Sequence, residues 1–217
     1  MTTRLLLVRH GETTLSAEDR FAGSTDVPLG PNGRLQAERL AARLAADPIA
    51  AAYASPMQRT IETASIIAKP HKIEVTTRER LREIDHGRWE GLRRVDVETR
   101  FPEEYAAWEE DPFTFAPTGG ESGVQVVARA LPEIREIVLA NPGQNVLVVS
   151  HKATIRLLIA SLLGFDARGY RDRLDQSPAS LNVLDFKSPV RVRLMLFNDV
   201  SHYADCAPKS AQRLSKW

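Results

Sequence analysis

The stretch Leu5-Leu6-Leu7-Val8-Arg9-His10-Gly11-Glu12-Thr13 contains the strongest structural signal in this chain. Its four apolar residues predict a buried central strand, and the glycine and polar residues after them predict a loop at the carboxyl end of that strand. Open α/β sheets bind their ligands at this end. Because Arg9 places a cation beside the His10 imidazole and Gly11 allows a ligand close to the backbone, the stretch indicates a phosphate site. The alternative is that His10 only ends the strand and hydrogen-bonds a neighbour.

The composition is that of an ordinary globular protein with one large domain: 217 residues, 43% hydrophobic and 26% charged, with a formal net charge of +1. Without a basic excess, neither nucleic acid nor an anionic membrane is expected as a partner. The chain enters its first strand within a few residues and has no long apolar segment, which predicts a cytoplasmic protein without a secretory signal or membrane span. Cys206 is the only cysteine, which excludes an internal disulfide and a multi-cysteine metal site.

Strand-like and helix-like segments alternate along the chain, which predicts an α/β sandwich. The predicted strands lie at 4–8, 49–54, 73–75, 145–150, 181–186 and 192–197, and the predicted helices at about 35–44, 57–68, 124–139 and 155–162. We expect a single domain over residues 1–203, followed by a carboxyl-terminal tail over 204–217. A polar segment with scattered aromatic residues, at about 88–121, is a candidate lid.

A second histidine follows a second apolar run. Val146-Leu147-Val148-Val149 predicts another buried strand, which leads into His151, with the cations Lys152 and Arg156 close behind. Two independent strand ends therefore carry the same chemistry.

Five motifs, in order along the chain, resemble those of the histidine phosphatase superfamily, which also contains the cofactor-dependent phosphoglycerate mutases. The motifs are Leu7 to Thr13, Arg20 to Gly23, Ser55 to Thr60 with Glu62 to Ala64, Leu81 to Gly87 with Glu90-Gly91, and Val149 to His151. The resemblance covers most of the sequence. It implies a phosphoglycerate mutase-like fold, a three-layer α/β/α sandwich with a mostly parallel central sheet.

The resemblance implies roles for four residues that bind the transferred group. His10 is the nucleophile that attacks phosphorus and becomes phosphohistidine, which requires a neutral imidazole. Arg9 and Arg59 bind the phosphoryl oxygens, because the planar guanidinium fork donates two parallel hydrogen bonds. His151 is the fourth member, and it adds a further donor if it is protonated.

The resemblance also implies that Glu83 protonates the leaving alkoxide and then activates water against the phosphohistidine. Asp85 competes for this role, because alternation along a strand would place both side chains on one face. We favour Glu83, since it is the residue that matches the acid of the family.

Further substrate contacts are expected at Thr13, Ser16, Arg20, Phe21, Ala22, Gly23, His86 and Lys152. Ser16 departs from the family pattern, because many relatives have the longer asparagine there, and Thr13 is a candidate to compensate. Lys152 begins a Lys-Ala pair that replaces two small residues, and it either contacts the anionic part of the substrate or points to solvent. His86 either binds a substrate carboxylate or hydroxyl or packs under the lid.

The segment from Gly87 to Gly120 is compact and does not resemble the longer insertion that covers the site of the mutases. It is similar to that of the metal-independent phosphoserine phosphatases. We therefore predict a phosphomonoesterase that needs no metal ion and no cofactor and acts on a small phosphorylated metabolite: phosphoserine, a phosphoglycerate-type compound or a sugar phosphate. Relatives also suggest a homodimer.

Three other functions remain to be weighed. One is a cofactor-dependent phosphoglycerate mutase, and a second is an inactive phospho-ligand binding module. A metal hydrolase is disfavoured, because the two isolated histidines lack a third or a His-x-x-x-His spacing.

Overall fold

The structure, a computed structural model, describes residues 1–14 and 20–204. Predictions for Ser16, Cys206 and nearly all of the expected tail lie outside the described residues. The described chain forms a six-stranded sheet with the order β3-β2-β4-β1-β5-β6. Its strands are β1 (Thr3–Arg9), β2 (Ile49–Ala54), β3 (Val75–Thr77), β4 (Asn145–Ser150), β5 (Leu181–Ser188) and β6 (Arg191–Asp199). The four strands β3, β2, β4 and β1 are parallel to one another, whereas β5 is antiparallel to its neighbours β1 and β6.

The two apolar runs form the middle of this sheet. β1 lies between β4 and β5, and every residue of β1 except Arg4 is buried. A central strand with helices on both faces must be apolar on both, which explains the unbroken run from Leu5 to Val8. Arg9 pairs with Ser150 in the parallel register, so β1 and β4 end side by side.

Helices cover both faces of the sheet. They are α1 (Pro31–Leu44), α2 (Gln58–Ala68), α3 (Arg94–Arg100), α4 (Pro102–Glu110), α5 (Gly123–Ala140), α6 (Lys152–Leu163) and the short α7 (Tyr170–Arg173). Alternate residues of β1 face opposite layers: Leu6 and Val8 share a core with α1 and α2, whereas Leu5 and Leu7 share one with α5 and α6. The predicted three-layer α/β/α sandwich is confirmed. None of the helices in the described ranges has both the length and the apolar character that crossing a bilayer requires.

The candidate lid segment at 88–121 contains α3 and α4 and an apolar cluster of its own. Trp89, Val97 and Trp108 are its buried members, and the side chains packed around them are Phe21, Leu92, Phe101, Tyr105 and Phe115. The Trp89 and Trp108 rings meet edge to face with centroids 5.7 Å apart. The scattered aromatic residues of the sequence thus form a small second core beside the sheet.

Two local predictions were wrong. β3 covers Val75–Thr77 rather than 73–75, because its parallel pairing is with the last three residues of β2. Residues 82–86 form no strand, so the alternation argument for Asp85 does not apply. Asp85 instead accepts a hydrogen bond of 2.7 Å from the amide of Gly87, which stabilises a turn where Gly87 adopts φ +52°.

Candidate active site

Parallel strands bring the predicted catalytic side chains to one edge of the sheet. β1 is followed by His10, β4 by His151, and β2 by a turn into α2, which carries Arg59. Arg9 and Ser150, the last residues of β1 and β4, pair with each other. The residues that follow them, His10 and His151, therefore lie side by side. The two imidazole rings have centroids 5.2 Å apart and an interplanar angle of 64°.

His10 is held with one ring nitrogen available. Its Nδ1 lies 2.7 Å from the carbonyl oxygen of Gly11, which can only accept, so Nδ1 carries the proton and Nε2 keeps its electron pair. Burial, followed by the charges of Arg9 and Arg59, lowers the pKa of His10 well below 6.5. At neutral pH His10 therefore has the neutral form that a nucleophile needs.

Gly11 allows the turn after β1 to pass close to the start of α1. A Cβ atom at this position would collide with the carbonyl oxygen of Gly33. The Gly11 amide donates to Thr63 Oγ1 at 3.1 Å, which ties the same turn to α2. The backbone beside His10 is therefore fixed from two sides.

Arg59 is held by backbone carbonyl groups of the loop before α1. Its Nη1 donates to Thr25 O and its Nη2 to Gly23 O, both at 2.9 Å. Its Nε lies 3.2 Å from His151 Nδ1, and only 2% of the residue is exposed. These bonds determine the orientation of the guanidinium group.

His151 lies behind His10 and Arg59 and is fully buried. Because an arginine can only donate, the bond from Arg59 Nε makes His151 Nδ1 an acceptor and places the ring proton on Nε2, 2.8 Å from Ser55 Oγ. Burial, followed by the charges of Arg59 and His10, lowers the pKa of His151 well below 6.5. In this structure His151 is thus neutral and bonded within the protein, not a protonated donor.

Arg9 is a buried cation beside His10. Its Nη1 donates to Gln176 O at 2.7 Å, whereas its buried Nε has no hydrogen-bond partner among the described residues. Burial, followed by the charge of Arg156, lowers the pKa of Arg9 to about 10, so the group stays charged at neutral pH. A buried charged donor of this kind is suited to an anionic oxygen.

The Glu83 carboxylate lies at the amino end of α6. Its Oε2 accepts from the amide of Ala153 and its Oε1 from the amides of Thr154 and Ile84, all at 3.0 Å. The Thr154 hydroxyl lies 3.0 Å from Oε1 and 2.8 Å from the carbonyl oxygen of Arg82. Since the first amides of a helix have no partners within it, they stabilise an anion at this position.

Glu90 holds the loop that Arg59 contacts. Its carboxylate accepts from the amides of Gly23 and Thr25 at 3.0 and 3.2 Å and from the Thr25 hydroxyl at 2.7 Å. Burial opposes ionisation, but these hydrogen bonds and one from the amide of His86 outweigh it and lower the pKa of Glu90. The sequence signal for Glu90 was its place in the fourth motif, which did not reveal this role.

Most of the predicted residues surround one cleft with a volume of about 250 Å³. Those in its lining are Arg9, His10, Thr13, Arg20, Phe21, Ala22, Arg59, Glu83, His86 and Lys152. Gly23 and His151 do not line the cleft, because the Gly23 amide is bonded to Glu90 and His151 is covered by its neighbours. His86 lies in the cleft lining, and its ring packs edge to face against Phe21 with centroids 4.8 Å apart. Asp85 is also absent from the lining.

The remaining lining residues were not predicted. They are Val27, Arg94, Trp108, Ala153, Arg156, Tyr170 and Arg171. The sequence contained a signal for Arg156, which is one helical turn after Lys152 and therefore shares its face of α6. Arg94, Trp108 and Arg171 lie on helices whose position depends on tertiary packing. Within 1–14 and 20–204, no group of three or more His, Cys, Asp or Glu side chains is arranged to hold a metal ion.

The buried histidines predict that the protein loses stability in mild acid. A folded-state pKa below 6.5 means that the unfolded chain binds more protons, so the free energy of unfolding falls as the pH drops below about 6.5. The pKa of His202 is lowered to about 4 by burial and by Arg43. Urea titrations at pH 7 and pH 5 measure how far the free energy of unfolding falls with acidification. We expect this fall to be smaller in His202→Gln than in the wild type, by about 1 kcal/mol after allowance for solvent screening. Equal pH dependence of the two proteins would contradict this expectation.

The comparison with known proteins identifies the class. The family description "Histidine phosphatase superfamily (branch 1)" matches residues 5–199, so the chain belongs to this superfamily. The predictions of a phosphoglycerate mutase-like fold and of a phosphatase are thereby confirmed.

Individual relatives agree with this class. The chain is 36% identical to phosphoserine phosphatase 1 of Hydrogenobacter thermophilus over 163 residues, which are 75% of this chain and 77% of that protein. Its structure is similar to that of Bacillus stearothermophilus YhfR, with a TM-score of 0.87, 33% identity and coverage of 92% and 98% of the two chains. The mycobacterial glucosyl-3-phosphoglycerate phosphatase Rv2419c has a TM-score of 0.83, with 30% identity and coverage of 91% and 99%.

Proposed function

We propose that the chain hydrolyses small phosphomonoesters in two steps, through a phosphoryl group carried on His10 Nε2 and without a metal ion. The observation that carries the proposal is the hydrogen bond between His10 Nδ1 and the Gly11 carbonyl, which leaves Nε2 free in a cleft that also contains Arg9, Arg59 and Glu83. Nucleophile, cations and carboxylate are the groups that this reaction requires.

In the first step, His10 Nε2 forms a bond to phosphorus while the bond from phosphorus to the alcohol oxygen breaks. Arg9 and Arg59 bind the equatorial oxygens, and their fixed orientation means that little reorganisation is needed as charge develops. The departing alkoxide takes a proton from the protonated form of Glu83.

In the second step, the Glu83 carboxylate accepts a proton from water, and the resulting hydroxide attacks phosphorus. The bond from phosphorus to Nε2 breaks, inorganic phosphate is released and His10 returns to its neutral form. The α6 amides that bond Glu83 hold its carboxylate in position for this step. The Thr154 hydroxyl suits both steps, because it can donate to the carboxylate and accept from the acid.

His151 has a positioning role in this proposal. It accepts from Arg59 Nε and packs against the His10 ring, so it supports both groups. A direct bond to the phosphoryl group would require its Nε2–H to leave Ser55 Oγ.

Thr13, Arg20, Phe21, Ala22, His86 and Lys152 would contact the rest of the substrate, since they line the same cleft. We further propose that segment 88–121 acts as the lid, because Arg94 and Trp108 on it line the cleft. A cytoplasmic location and a homodimer remain predictions. The names of the relatives supply the substrate class: phosphoserine for the Hydrogenobacter protein, and glucosyl-3-phosphoglycerate and 2-carboxy-D-arabinitol 1-phosphate for others.

The test is phosphate release in the presence of a chelator from phosphoserine, 3-phosphoglycerate, sugar phosphates and p-nitrophenyl phosphate, with conversion of 3- to 2-phosphoglycerate assayed in parallel. We expect chelator-insensitive release with one substrate clearly preferred. Conversion without release would identify a mutase. No turnover, together with stabilisation by inorganic phosphate, would identify a binding module.

A further inference from the structure

The loop between α7 and β5, residues 176–180, packs against the end of β1. The amide of Ala179 donates to His10 O at 3.0 Å, and Gln176 O accepts from Arg9 Nη1 at 2.7 Å. This loop therefore contacts both residues at the end of β1 that the proposed reaction places at the phosphoryl group.

The carbonyl of Gln176 orients the Arg9 guanidinium. Among the residues that the structure describes, it is the only hydrogen-bond acceptor of this group, and Arg9 Nε is unpaired. Arg59, by comparison, donates to the carbonyls of both Thr25 and Gly23. Because a main-chain carbonyl moves only with its loop, the position of loop 176–180 sets the direction in which Arg9 points.

The backbone of this loop requires support from outside. Ala179 is fully buried and adopts a φ of +51°, in the left-handed region. This conformation is unfavourable for a residue with a Cβ atom and persists only where surrounding contacts maintain it.

Two buried amide side chains supply such contacts. Gln176 Nε2 donates to Asn182 Oδ1 at 2.9 Å, and Asn182 Nδ2 donates to Gln176 Oε1 at 2.8 Å. Gln176 Oε1 also accepts from the Ser180 hydroxyl at 3.1 Å. Gln176 is 1% exposed and Asn182 is 0% exposed. The pair thus joins the first part of the loop to its last part and to β5.

Asn182 connects this pair to the neighbouring strands. Its Nδ2 donates to Leu7 O on β1 at 3.0 Å, and its Oδ1 accepts from the amide of Asn198 on β6 at 2.9 Å. A carbonyl only accepts and an amide N–H only donates, so the two backbone groups determine the orientation of the Asn182 side chain. The orientation of Asn182 in turn determines that of Gln176.

These amides occupy a place where apolar side chains would be expected. Leu7, which pairs with Asn182 across the two strands, belongs to a hydrophobic core. Burying an amide is costly unless it is hydrogen-bonded, and an apolar pair would avoid that cost. What the amides add is direction, because hydrogen bonds constrain the loop more narrowly than apolar contacts do.

We propose that Gln176 and Asn182 are positioning residues, whose paired amides hold loop 176–180 where its carbonyl directs Arg9 at the phosphoryl group. Neither residue belongs to the described lining of the cleft, so both act through Arg9. This inference rests on the proposed function and adds two residues to the machinery of that site.

Asn182→Leu and Gln176→Met test the proposal, because they remove the amides at nearly constant volume and keep the main-chain carbonyl. We expect each variant to reduce kcat/KM for p-nitrophenyl phosphate about tenfold, since small displacements of a group that positions the substrate are costly in rate. Calorimetry should show weaker binding of inorganic phosphate as well. Either variant is sufficient if the other does not fold.

Asn141→Leu is the matched control for lost stability. Asn141 is also a buried amide, 6% exposed, and its Nδ2 donates to Ile137 O and to the Tyr53 hydroxyl. It lies at the end of α5 and outside the described cleft lining. This variant should retain kcat/KM. An equal fall in kcat/KM for Asn141→Leu at a similar loss of stability would overturn the positioning role.

A double-mutant cycle with Arg9→Gln tests whether the amides act through Arg9. In the Arg9→Gln background, Asn182→Leu should have little further effect, because residues that act through one contact are not additive. A merely structural role would lower kcat/KM by the same factor in both backgrounds, and that result would overturn the proposal.

Phosphate binding separates this inference from the proposed function. Absence of turnover, with phosphate affinity that falls in Asn182→Leu only while Arg9 is present, would contradict the phosphatase and support the positioning role. Turnover and phosphate affinity that are unchanged in both amide variants would support the phosphatase and overturn the positioning role.

Discussion

Replacing His10 with alanine is expected to reduce phosphate release by about 10⁴-fold or more, as removal of a catalytic nucleophile does in other enzymes. The physical reason is that His10 Nε2 is the unprotonated nitrogen that the Gly11 carbonyl and the neighbouring arginines maintain in the cleft. Steady-state release from p-nitrophenyl phosphate measures the loss. Acid-labile, base-stable labelling of the wild type with a ³²P-labelled substrate should disappear in the same variant.

His71→Ala is the matched control, because His71 is on the turn after α2 and outside the cleft lining. It should retain activity and labelling. Since His10 is buried, His10→Gln should be measured beside the alanine variant to keep the volume of the side chain. Substantial turnover in either folded His10 variant would rule out a phosphohistidine at this position.

Glu83→Gln is expected to separate substrates by their leaving groups. For sn-glycerol 3-phosphate or a sugar phosphate, whose alkoxide needs a proton, kcat/KM should fall about 10³-fold, within the usual range for general acid catalysis. For p-nitrophenyl phosphate it should fall only about tenfold, because nitrophenolate leaves without a proton. Water activation is lost for both, so p-nitrophenyl phosphate should show a burst followed by slow turnover and an accumulated phosphoenzyme.

The structure also predicts a cost in stability for this variant. A glutamine amide nitrogen replaces one oxygen that accepts from the α6 amides, so one N–H would face another. This should lower the free energy of unfolding by about 1 kcal/mol. Asp85→Asn is the control, because Asp85 lies outside the cleft lining and bonds the Gly87 amide. An equal loss of kcat/KM for both leaving groups in Glu83→Gln would mean that Glu83 is not the general acid.

Much of the site could be predicted because it follows from the sheet. An apolar run that is buried on both faces has to be a central strand, and β1 and β4 are such runs. Parallel neighbours end at the same edge, so the residues that follow them, His10 and His151, are brought together. Arg59 and Glu83 are not linked to these strands by periodicity, and only the resemblance of their motifs indicated them.

The hydrogen bonds around those residues could not be predicted. The sequence left the protonation of His151 open, whereas the bond from Arg59 Nε makes its Nδ1 an acceptor and burial lowers its pKa. The competition between Glu83 and Asp85 was argued from strand alternation in a segment that forms no strand. The partner of His151 is Arg59, and the partners of Glu83 are the amides at the start of α6. These partners are distant in the chain, so the local sequence pattern contains no information about them.

The sequence by itself determined the fold class and the convergence of His10 and His151 beside Arg9, because strand burial and parallel pairing follow from hydrophobic pattern. The resemblance of its motifs indicated the family and Arg59. Only the tertiary structure decided which atoms are free to react and what else surrounds them. The packing of α4 against α7 places Trp108 and Arg171 in the cleft, and the amino end of α6 holds Glu83. These arrangements depend on contacts between segments far apart in the chain, whose geometry exists only after the chain has packed.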